Sequence, residues 1–185
     1  MWILYREKSR SNPDFNVMQY TKPFWIAGPW PGRLAISPRP RGGDWLDDET
    51  KAWRGAGVDA VVSLLEPAEA NDLDLDREQE SCGAQGIRFY SLPIADRSIP
   101  ASEADFTWIL GKIQAELSAA NSVVIHCRQG VGRAGMVALA LFVETGMTPA
   151  EAVRRVSAAR GVTVPETDEQ RVWIDSFVAL LHTNR

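Results

Sequence analysis

A short segment around Cys127 combines the residue types that chemistry on a phosphate ester requires. The segment reads His126, Cys127, Arg128, Gln129, Gly130, Val131, Gly132, Arg133, Ala134 and Gly135. Glycines allow such a loop to curl until successive backbone N–H groups point inward and form a nest for an anion. A helix that starts after the loop adds further N–H donors and the positive end of its dipole. The sequence therefore predicts an anion-binding loop.

Cys127 and Arg133 are the predicted nucleophile and phosphate clamp of this loop. A thiol beside helix N-terminal amides and cations tends to ionise near neutral pH, so we expect Cys127 to attack phosphorus as a thiolate. The planar guanidinium of Arg133 matches two phosphate oxygens at once, which an ammonium group does not. The loop residues expected to bind the phosphate are Arg128, Gln129, Gly130, Val131 and Gly132. His126 is expected to brace the loop through hydrogen bonds.

A leaving alkoxide or phenoxide needs a proton, and Asp96 is the predicted donor. It lies in a loop after a strand-like run, and Pro93 and Pro100 bracket and stiffen that loop. If the strand before this loop neighbours the strand before Cys127, both loops leave the sheet at the same edge, where α/β proteins bind ligands. The same carboxyl group can then act as a base toward water in a second step.

Short β-branched apolar runs alternate with helix-like segments through most of the chain. Strands are predicted at residues 58–65, 87–94 and 122–127, with a strand pair at 24–27 and 34–36. Helices are predicted from Asp44 to about Gly55, at 67–84, from Ser102 to about Ala119, from about Gly132 to Gly146, from Thr148 onward and at 166–181. This alternation predicts a single α/β domain with a largely parallel central sheet flanked by helices.

The composition is that of one globular domain. The chain has 185 residues, of which 45% are hydrophobic and 24% charged, and its formal net charge is −4. The acidic net charge argues against a nucleic acid as partner. No apolar run approaches the length of a membrane span. Two cysteines are too few for a disulfide framework. We therefore expect a cytoplasmic protein, with an N-terminal extension at residues 1–22 and one catalytic domain at residues 23–185.

The two motifs resemble those of the cysteine-based protein tyrosine phosphatases, in their dual-specificity branch. The pattern H-C-x5-R is matched by His126, Cys127 and Arg133, and the pattern P-I-x-D-x-x-x-P by Pro93, Ile94, Asp96 and Pro100. The second pattern is similar to the kinase-associated-phosphatase-like, bacterial type. The resemblance covers roughly residues 24–181. It implies a mixed sheet flanked by helices in the phosphotyrosine-phosphatase-like fold, a phosphocysteine intermediate, no cofactor and no metal.

Two further positions are interpreted through the resemblance. Residues 164–170 resemble the family's P-E-T-x-E-Q stretch, in which the glutamine is a candidate to position the hydrolytic water, and this role is carried over to Gln170. After the arginine the family usually has Ser or Thr, whose hydroxyl group donates to the cysteine sulfur and helps it leave. Ala134 occupies that position here, so hydrolysis of the phosphoenzyme is expected to be slow or to depend on other donors.

The predicted function is hydrolysis of phosphate monoesters, with a phosphorylated protein or a small phosphate ester as substrate. Protein phosphotyrosine is the first candidate, with phosphoserine and phosphothreonine beside it. Phosphoinositides, inositol phosphates or RNA 5′ ends are an alternative, because Arg97 and Arg128 add positive charge near the pocket. A phosphate-binding module with little catalysis is kept open by Ala134. A rhodanese-like sulfurtransferase is a fourth hypothesis, against which the G-x-x-R half of the motif and the Asp96 loop speak.

Two other features receive structural interpretations. Cys82 is interpreted as a small apolar residue near a helix end, in preference to a disulfide partner for an oxidised Cys127. The string of Asp72, Asp74 and Asp76 lacks the glycine and the terminal glutamate of a calcium-binding loop. It is interpreted as the start of a solvated helix.

Overall fold

The structure is a computed structural model that describes residues 20–183, with side chains as far as Ala179. The extension expected at residues 1–22 therefore lies outside the described residues, except for its last three. Among these, Thr21 is fastened to the domain. Its N–H donates to Glu49 Oε2 at 2.8 Å, and its carbonyl oxygen accepts from Trp53 Nε1 at 2.8 Å.

A five-stranded sheet forms from the segments in which β-branched and aromatic residues are concentrated, since these side chains fit a pleated surface. Its strands are β1 (Phe24–Ile26), β2 (Arg33–Pro38), β3 (Ala60–Ser63), β4 (Arg88–Ser91) and β5 (Ser122–Cys127). Their order across the sheet is β1-β2-β5-β3-β4. β1 runs antiparallel to β2, and all other pairs are parallel. The predicted α/β domain with a mixed, largely parallel sheet is confirmed.

Seven α-helices flank the sheet in the described part of the chain. They are α1 (Leu46–Gly55), α2 (Pro67–Asp72), α3 (Glu78–Ala84), α4 (Glu103–Ser118), α5 (Arg133–Glu144), α6 (Pro149–Arg160) and α7 (Asp168–Thr183). The cap predicted for α4 is present, because Ser102 Oγ accepts from the N–H of Asp105 at 3.2 Å. α6 begins with a capping box in which Thr148 and Glu151 satisfy each other's backbone N–H groups.

The helices cover both faces of the sheet and create two apolar layers. The larger layer packs α4, α5 and α6 against one face, and it takes Val123, Ile125 and Cys127 from β5. The smaller layer packs Trp53 of α1 and Cys82 of α3 against the other face. α5 is buried from Arg133 to Val143, so the helix that follows the cysteine loop is held rigidly between the sheet and its neighbouring helices.

One helix prediction was wrong. The segment 67–84 does not form one helix: it contains α2 and α3, with a turn between them. Asp74 has a φ angle of +54° in this turn, which is left-handed backbone that no α-helix accommodates but that aspartate tolerates better than most residues. The aspartate string therefore ends α2 and forms the turn, and does not start a helix.

The order of the strands decides which loops meet. β4 does not neighbour β5, because β3 lies between them. All three strands are parallel, so the loops that follow β3, β4 and β5 still leave the sheet at the same carboxyl edge. This edge brings the start of α2, the Asp96 loop and the Cys127 loop together.

Candidate active site

The loop after β5 forms the floor of a cavity of about 200 Å³ at the carboxyl edge of the sheet. The residues that line the cavity are Asp96, Arg97, Cys127, Arg128, Gln129, Gly132, Arg133 and Glu166. Cys127 is only 3% exposed, yet it lines this cavity. The backbone N–H of Gly130 donates to Cys127 Sγ at 3.3 Å. The loop thus curls around the sulfur.

Gly130 permits this curl. Its φ angle is +66°, in the left-handed region where a Cβ is costly. A Cβ at this position would also lie 2.3 Å from the backbone carbonyl carbon of Ser37 in β2. Glycine is therefore required both by the turn and by the close approach of the loop to the neighbouring strand.

The first turn of α5 lies beside the sulfur of Cys127 and is suited to bind an anion. Gly132 is the N-cap residue, it offers no side-chain hydrogen bond, and the first turn contains no acidic residue. The first N–H groups of a helix have no partner within the helix, and its dipole makes this end positive. A phosphoryl group above Cys127 would meet both the loop amides and this helix end.

Arg133 is buried and its guanidinium is held by two carboxylates. Nη1 donates to Glu69 Oε2 at 2.6 Å and Nη2 donates to Glu69 Oε1 at 3.0 Å, which is the paired geometry of a strong ion pair. Nη1 also donates to the carbonyl oxygen of Ile94 at 2.8 Å, and Nη2 to Asp96 Oδ1 at 2.8 Å. No described residue accepts a hydrogen bond from Nε, so this edge of the guanidinium remains available to a ligand.

Glu69 and Arg133 stabilise each other's charge. Burial raises the pKa of the Glu69 carboxyl group, but hydrogen bonds from Arg133 and from the backbone of Glu66, with the charges of Arg133 and Arg128, outweigh burial and hold the pKa below its usual range. Burial lowers the pKa of Arg133, whereas its hydrogen bond to Glu69 and the charges of Cys127, Glu69 and Asp96 raise this pKa by more. Both groups are therefore ionised at neutral pH.

Asp96 lies on the wall of the cavity. Its side chain is 53% exposed, and its Oδ1 is the atom that accepts from Arg133. The following residue, Arg97, has a φ angle of +61°, an unfavourable conformation that turns the chain sharply after the acid. The structure thus brings Cys127, Arg133 and Asp96 to one cavity.

Charged side chains form the rim. Arg97 and Arg128 are 65% and 51% exposed at the side chain. Arg97 pairs with Glu166 at 3.1 Å, whereas Arg128 lies 3.9 Å from Glu69, at the limit of an ion pair. Of these two arginines, Arg128 is therefore the less tightly paired.

His126 contacts a buried carboxylate that sequence reasoning missed. Its Nε2 lies 2.9 Å from Glu78 Oε1 of α3, and both side chains are buried. Among the described residues, neither ring nitrogen has a hydrogen-bond partner in the cysteine loop. The expectation that the imidazole braces the loop through hydrogen bonds stays a prediction. The ring packs beside Trp53 on the face of the sheet opposite to Cys127, because successive residues of a strand point to opposite faces.

Arg160, at the end of α6, is a second missed residue. Its Nε donates to the carbonyl oxygen of Gly130 and its Nη2 to that of Gln129, both at 3.0 Å. Its guanidinium also stacks over the ring of Phe24 at 4.3 Å. By binding the loop carbonyl groups from outside, Arg160 favours the orientation in which the N–H groups face the cavity.

The remaining predicted positions have distinct environments. Gln170 is fully buried at the start of α7, and its amide approaches the loop near Gly132. Ala134 is fully buried in α5. Within the described part of the chain, Cys127 Sγ accepts a hydrogen bond from the Gly130 amide and from no hydroxyl group. Cys82 belongs to the smaller apolar layer, where burial and the charge of Glu78 raise its pKa to about 12. This environment agrees with its interpretation as an apolar residue.

Glu69, Glu78 and Arg160 share one reason for being missed. Each lies on a helix far from the cysteine motif in sequence and meets β5 or the residues after it only through the packing of the domain. A signal existed for Glu69 alone: it follows the buried strand β3 closely, and a carboxylate at the carboxyl end of a parallel strand is well placed for a site.

The chain is similar in fold to several solved structures. The chain superposes on kinase associated phosphatase with a TM-score of 0.82, at 18% identity, covering 89% of this chain and 98% of that one. It superposes on Tk-PTP in its active form with a TM-score of 0.66, at 29% identity, covering 80% and 92%. It superposes on PTPMT1 in complex with PI(5)P with a TM-score of 0.68, at 14% identity, covering 82% and 93%.

The family of this chain is shown by a match to a protein-family sequence model. No curated protein sequence matches the chain. The family model described as a polymorphic toxin system DSP-PTPase phosphatase matches residues 37–147, from the end of β2 to just beyond α5, which is more than half of the chain. This match includes the acid loop and the whole cysteine loop. The chain therefore belongs to the DSP-PTPase phosphatase family of polymorphic toxin systems, within the dual-specificity branch of the cysteine-based protein tyrosine phosphatases.

Proposed function

We propose that this chain hydrolyses phosphate monoesters through a phosphocysteine intermediate on Cys127. In the first step the thiolate attacks phosphorus, the P–S bond forms, the P–O ester bond breaks, and Asp96 gives its proton to the leaving oxygen. In the second step Asp96 takes a proton from water, the water oxygen attacks phosphorus, and the P–S bond breaks. Inorganic phosphate leaves and the thiolate is regenerated.

The observation that carries the proposal is the arrangement at the cavity floor. Cys127 lies below the opening, the Gly130 amide points at its sulfur, and the uncapped end of α5 lies beside it. Donors placed in advance around the developing negative charge stabilise a phosphoryl-transfer transition state without reorganisation. The structure of kinase associated phosphatase carries a serine in place of its catalytic site cysteine, which supports the same role for Cys127.

The contact between Arg133 and Asp96 supports a defined order of events. When a phosphate takes Nε and Nη2 of Arg133 as a pair, the Nη2 bond to Asp96 is replaced by a bond to a phosphate oxygen. Asp96 is then released toward the leaving oxygen, while Glu69 continues to hold the opposite side of the guanidinium through Nη1. Substrate binding itself thus frees the acid.

Protein phosphotyrosine is the substrate class that we propose first, with phosphoserine and phosphothreonine beside it. The exposed guanidinium groups of Arg97 and Arg128 favour a second candidate, a phosphoinositide or another substrate with several phosphates. The likeness to PTPMT1 in complex with PI(5)P is one of fold and does not decide between them. The discriminating test measures kcat/KM on a phosphotyrosyl peptide, a phosphoseryl peptide and PI(5)P. Rates on the lipid far above those on both peptides would reject the first choice.

The proposed site of action is the cytoplasm, where reducing conditions keep a catalytic thiol free, and the proposed catalytic unit is the segment 23–185. Both described cysteines are unpaired thiols. Across residues 20–183 no helix has the length and apolar character that a membrane crossing demands.

Hydrolysis of an aryl phosphate by the wild type and by Cys127→Ser tests the activity. The hydroxyl group of serine is a far weaker nucleophile than a thiolate, so the variant is expected to lose at least about 100-fold in kcat. Equal rates for the two proteins would reject the phosphocysteine route and favour a binding module. Circular dichroism of both proteins shows whether the fold is retained.

A further inference from the structure

The side-chain amide of Gln170 forms hydrogen bonds with two backbone segments. Its Oε1 accepts from the N–H groups of Glu166 at 3.2 Å and Thr167 at 3.3 Å. Its Nε2 donates to the carbonyl oxygen of Ser98 at 3.0 Å, which lies in the Asp96 loop. Gln170 is fully buried, so each of these bonds is protected from competition by water.

The amide of Gln170 also lies against the cysteine loop. A Cβ at Gly132 would be 3.0 Å from Oε1 and 3.1 Å from Nε2. The amide therefore fills the space between the start of α5 and the loop that carries Asp96. Two further contacts join the segment before α7 to the Asp96 loop at the surface. Thr167 Oγ1 donates to the carbonyl oxygen of Arg97 at 3.5 Å, and Arg97 pairs with Glu166 at 3.1 Å.

This geometry argues against the water-positioning role carried over to Gln170. To orient an attacking water, the glutamine needs a free acceptor for one of the water protons. Oε1 has two lone pairs, and both are directed to backbone N–H groups. The Nε2 bond instead leads two residues beyond Asp96, next to the turn that the left-handed Arg97 creates.

We propose that Gln170 is a positioning residue for Asp96: it holds the acid loop against the cysteine loop, so its effect begins with the first chemical step. This inference rests on the proposed function, because it assigns a role within that reaction. Without the Ser98 contact, the carboxyl group of Asp96 spends less time near the leaving oxygen. Misplacing a catalytic group by about 1 Å can cost 100-fold in rate.

The two roles of Gln170 predict different kinetics. A residue that positions Asp96 affects cleavage of the ester bond, which contributes to kcat/KM. Its loss also matters more for leaving groups that need a proton. A residue that positions water affects only hydrolysis of the phosphoenzyme. Its loss lowers kcat, leaves kcat/KM unchanged and enlarges the initial burst of product.

The experiment compares Gln170→Ala and Gln170→Met with the wild type on two substrates. Phenyl phosphate has a poor leaving group, and 2,4-dinitrophenyl phosphate has one that leaves without protonation. We expect kcat/KM for phenyl phosphate to fall about 10- to 100-fold, within the contribution of a general acid, and kcat/KM for the dinitrophenyl ester to stay within about threefold. Gln170→Met keeps the side-chain volume, so it separates loss of the hydrogen bonds from loss of packing.

The same substitutions in an Asp96→Asn background show whether Gln170 acts through Asp96. If it does, Gln170→Met has little further effect on kcat/KM for phenyl phosphate once the acid is absent. An undiminished effect in Asp96→Asn would overturn the inference. So would an unchanged kcat/KM with an enlarged burst, which is the signature of water positioning. If the wild type is no faster than Cys127→Ser on either ester, the proposed function itself fails, and this result is distinct from the other two.

Discussion

Glu69 binds Arg133 through both of its carboxylate oxygens, and this contact orients the guanidinium before any substrate arrives. An arginine that is 1% exposed needs such a partner, because an unpaired buried charge is costly. Within the described part of the chain, nothing accepts a hydrogen bond from Nε. Glu69 therefore holds Arg133 in an orientation that suits paired binding of a phosphate.

The first prediction concerns Glu69→Gln. The amide removes the charge and one acceptor, so Arg133 is expected to lose its orientation and kcat/KM for an aryl phosphate to fall about 10- to 100-fold. Glu166→Gln is the matched control: it removes a carboxylate from the rim, where the ion pair with Arg97 is exposed, and a change of less than about threefold is expected. Equal losses in the two variants would show that Glu69 acts only through the overall charge of the cavity.

The second prediction concerns Ala134→Ser. The new hydroxyl group would supply the donor that the family usually has after the arginine, and donation to the leaving sulfur speeds breakage of the P–S bond. Rapid-mixing kinetics should therefore show a burst of product in the wild type that is larger than in Ala134→Ser, with a lower steady-state rate. Equal turnover in both proteins would mean that the Gly130 amide suffices as the donor.

The conformation of the whole loop after β5 depends on Gly130. The third prediction compares Gly130→Ala with Gly111→Ala. Gly130 has left-handed backbone, and a Cβ at this position would lie 2.3 Å from the backbone of Ser37. Gly130→Ala is therefore expected to lower the free energy of unfolding by roughly 2–4 kcal/mol and to abolish activity.

Gly111 supplies the control for this prediction. It lies in α4, and a Cβ there meets nothing within 4 Å. Alanine in this exposed helical position is expected to raise the free energy of unfolding by about 0.5–1 kcal/mol and to leave kcat/KM unchanged. Urea titrations of both variants measure the two effects. A Gly130→Ala protein as stable and active as the wild type would contradict the geometry described for the loop.

Most secondary-structure elements were predictable, because their local patterns agree with their final environments. The predicted strand 122–127 coincides with β5, where an uninterrupted apolar run is buried on both faces. The caps of α4 and α6 are local hydrogen bonds, so short sequence windows contain them. The segment 67–84 was predicted wrongly because helical periodicity continues through a turn that the backbone of Asp74 creates.

The two ends of the sheet differ in role: one end carries a stabilising hydrogen-bond cluster, and the other carries the cavity. Glu116, at the end of α4, accepts hydrogen bonds from Arg88 and Tyr90 of β4 and from Asn121. This cluster lies where β5 begins, and Cys127 lies where β5 ends, roughly 17–20 Å away for a strand of this length. Glu116 therefore ties β4 to α4 without touching the cavity.

The fourth prediction is that Glu116→Gln lowers the free energy of unfolding by about 1–2 kcal/mol and leaves kcat/KM within about twofold of the wild-type value. Burial raises the pKa of Glu116, but hydrogen bonds from Arg88, Tyr90 and Asn121 and the charge of Arg88 outweigh burial and lower the pKa from the usual 4.5. A lowered pKa means that the stabilisation is complete above pH 4.5 and is lost as the pH falls through the lowered value.

Thermal unfolding of both proteins between neutral and acidic pH checks this sign. The difference between wild type and Glu116→Gln should be largest at neutral pH and should shrink on acidification. A difference that grows toward low pH, or a loss of activity equal to that of Glu69→Gln, would contradict the separation of the two ends.

The cavity was predictable only in part, for a topological reason. Cys127, Arg133 and Asp96 lie in short motifs whose spacing is visible in the sequence. Glu69 and Arg160 reach the loop because the strand order places β3 beside β5 and because α6 returns to the loop, whereas Glu78 contacts His126 on the opposite face of the sheet. No local sequence pattern encodes these contacts. Gln170 was noticed through its motif, yet its hydrogen-bond partners became clear only from the packing of α7 against the acid loop.

The phosphocysteine can be trapped directly. The wild type and Cys127→Ser are mixed with an aryl phosphate, quenched with acid within the first turnover, digested, and their peptides analysed by mass spectrometry. We predict one phosphate on the wild-type peptide that contains Cys127, formed no more slowly than the steady-state rate, and none on that peptide from the variant. Turnover with no phosphate on Cys127 at any time, or undiminished turnover by Cys127→Ser, would contradict the proposed mechanism.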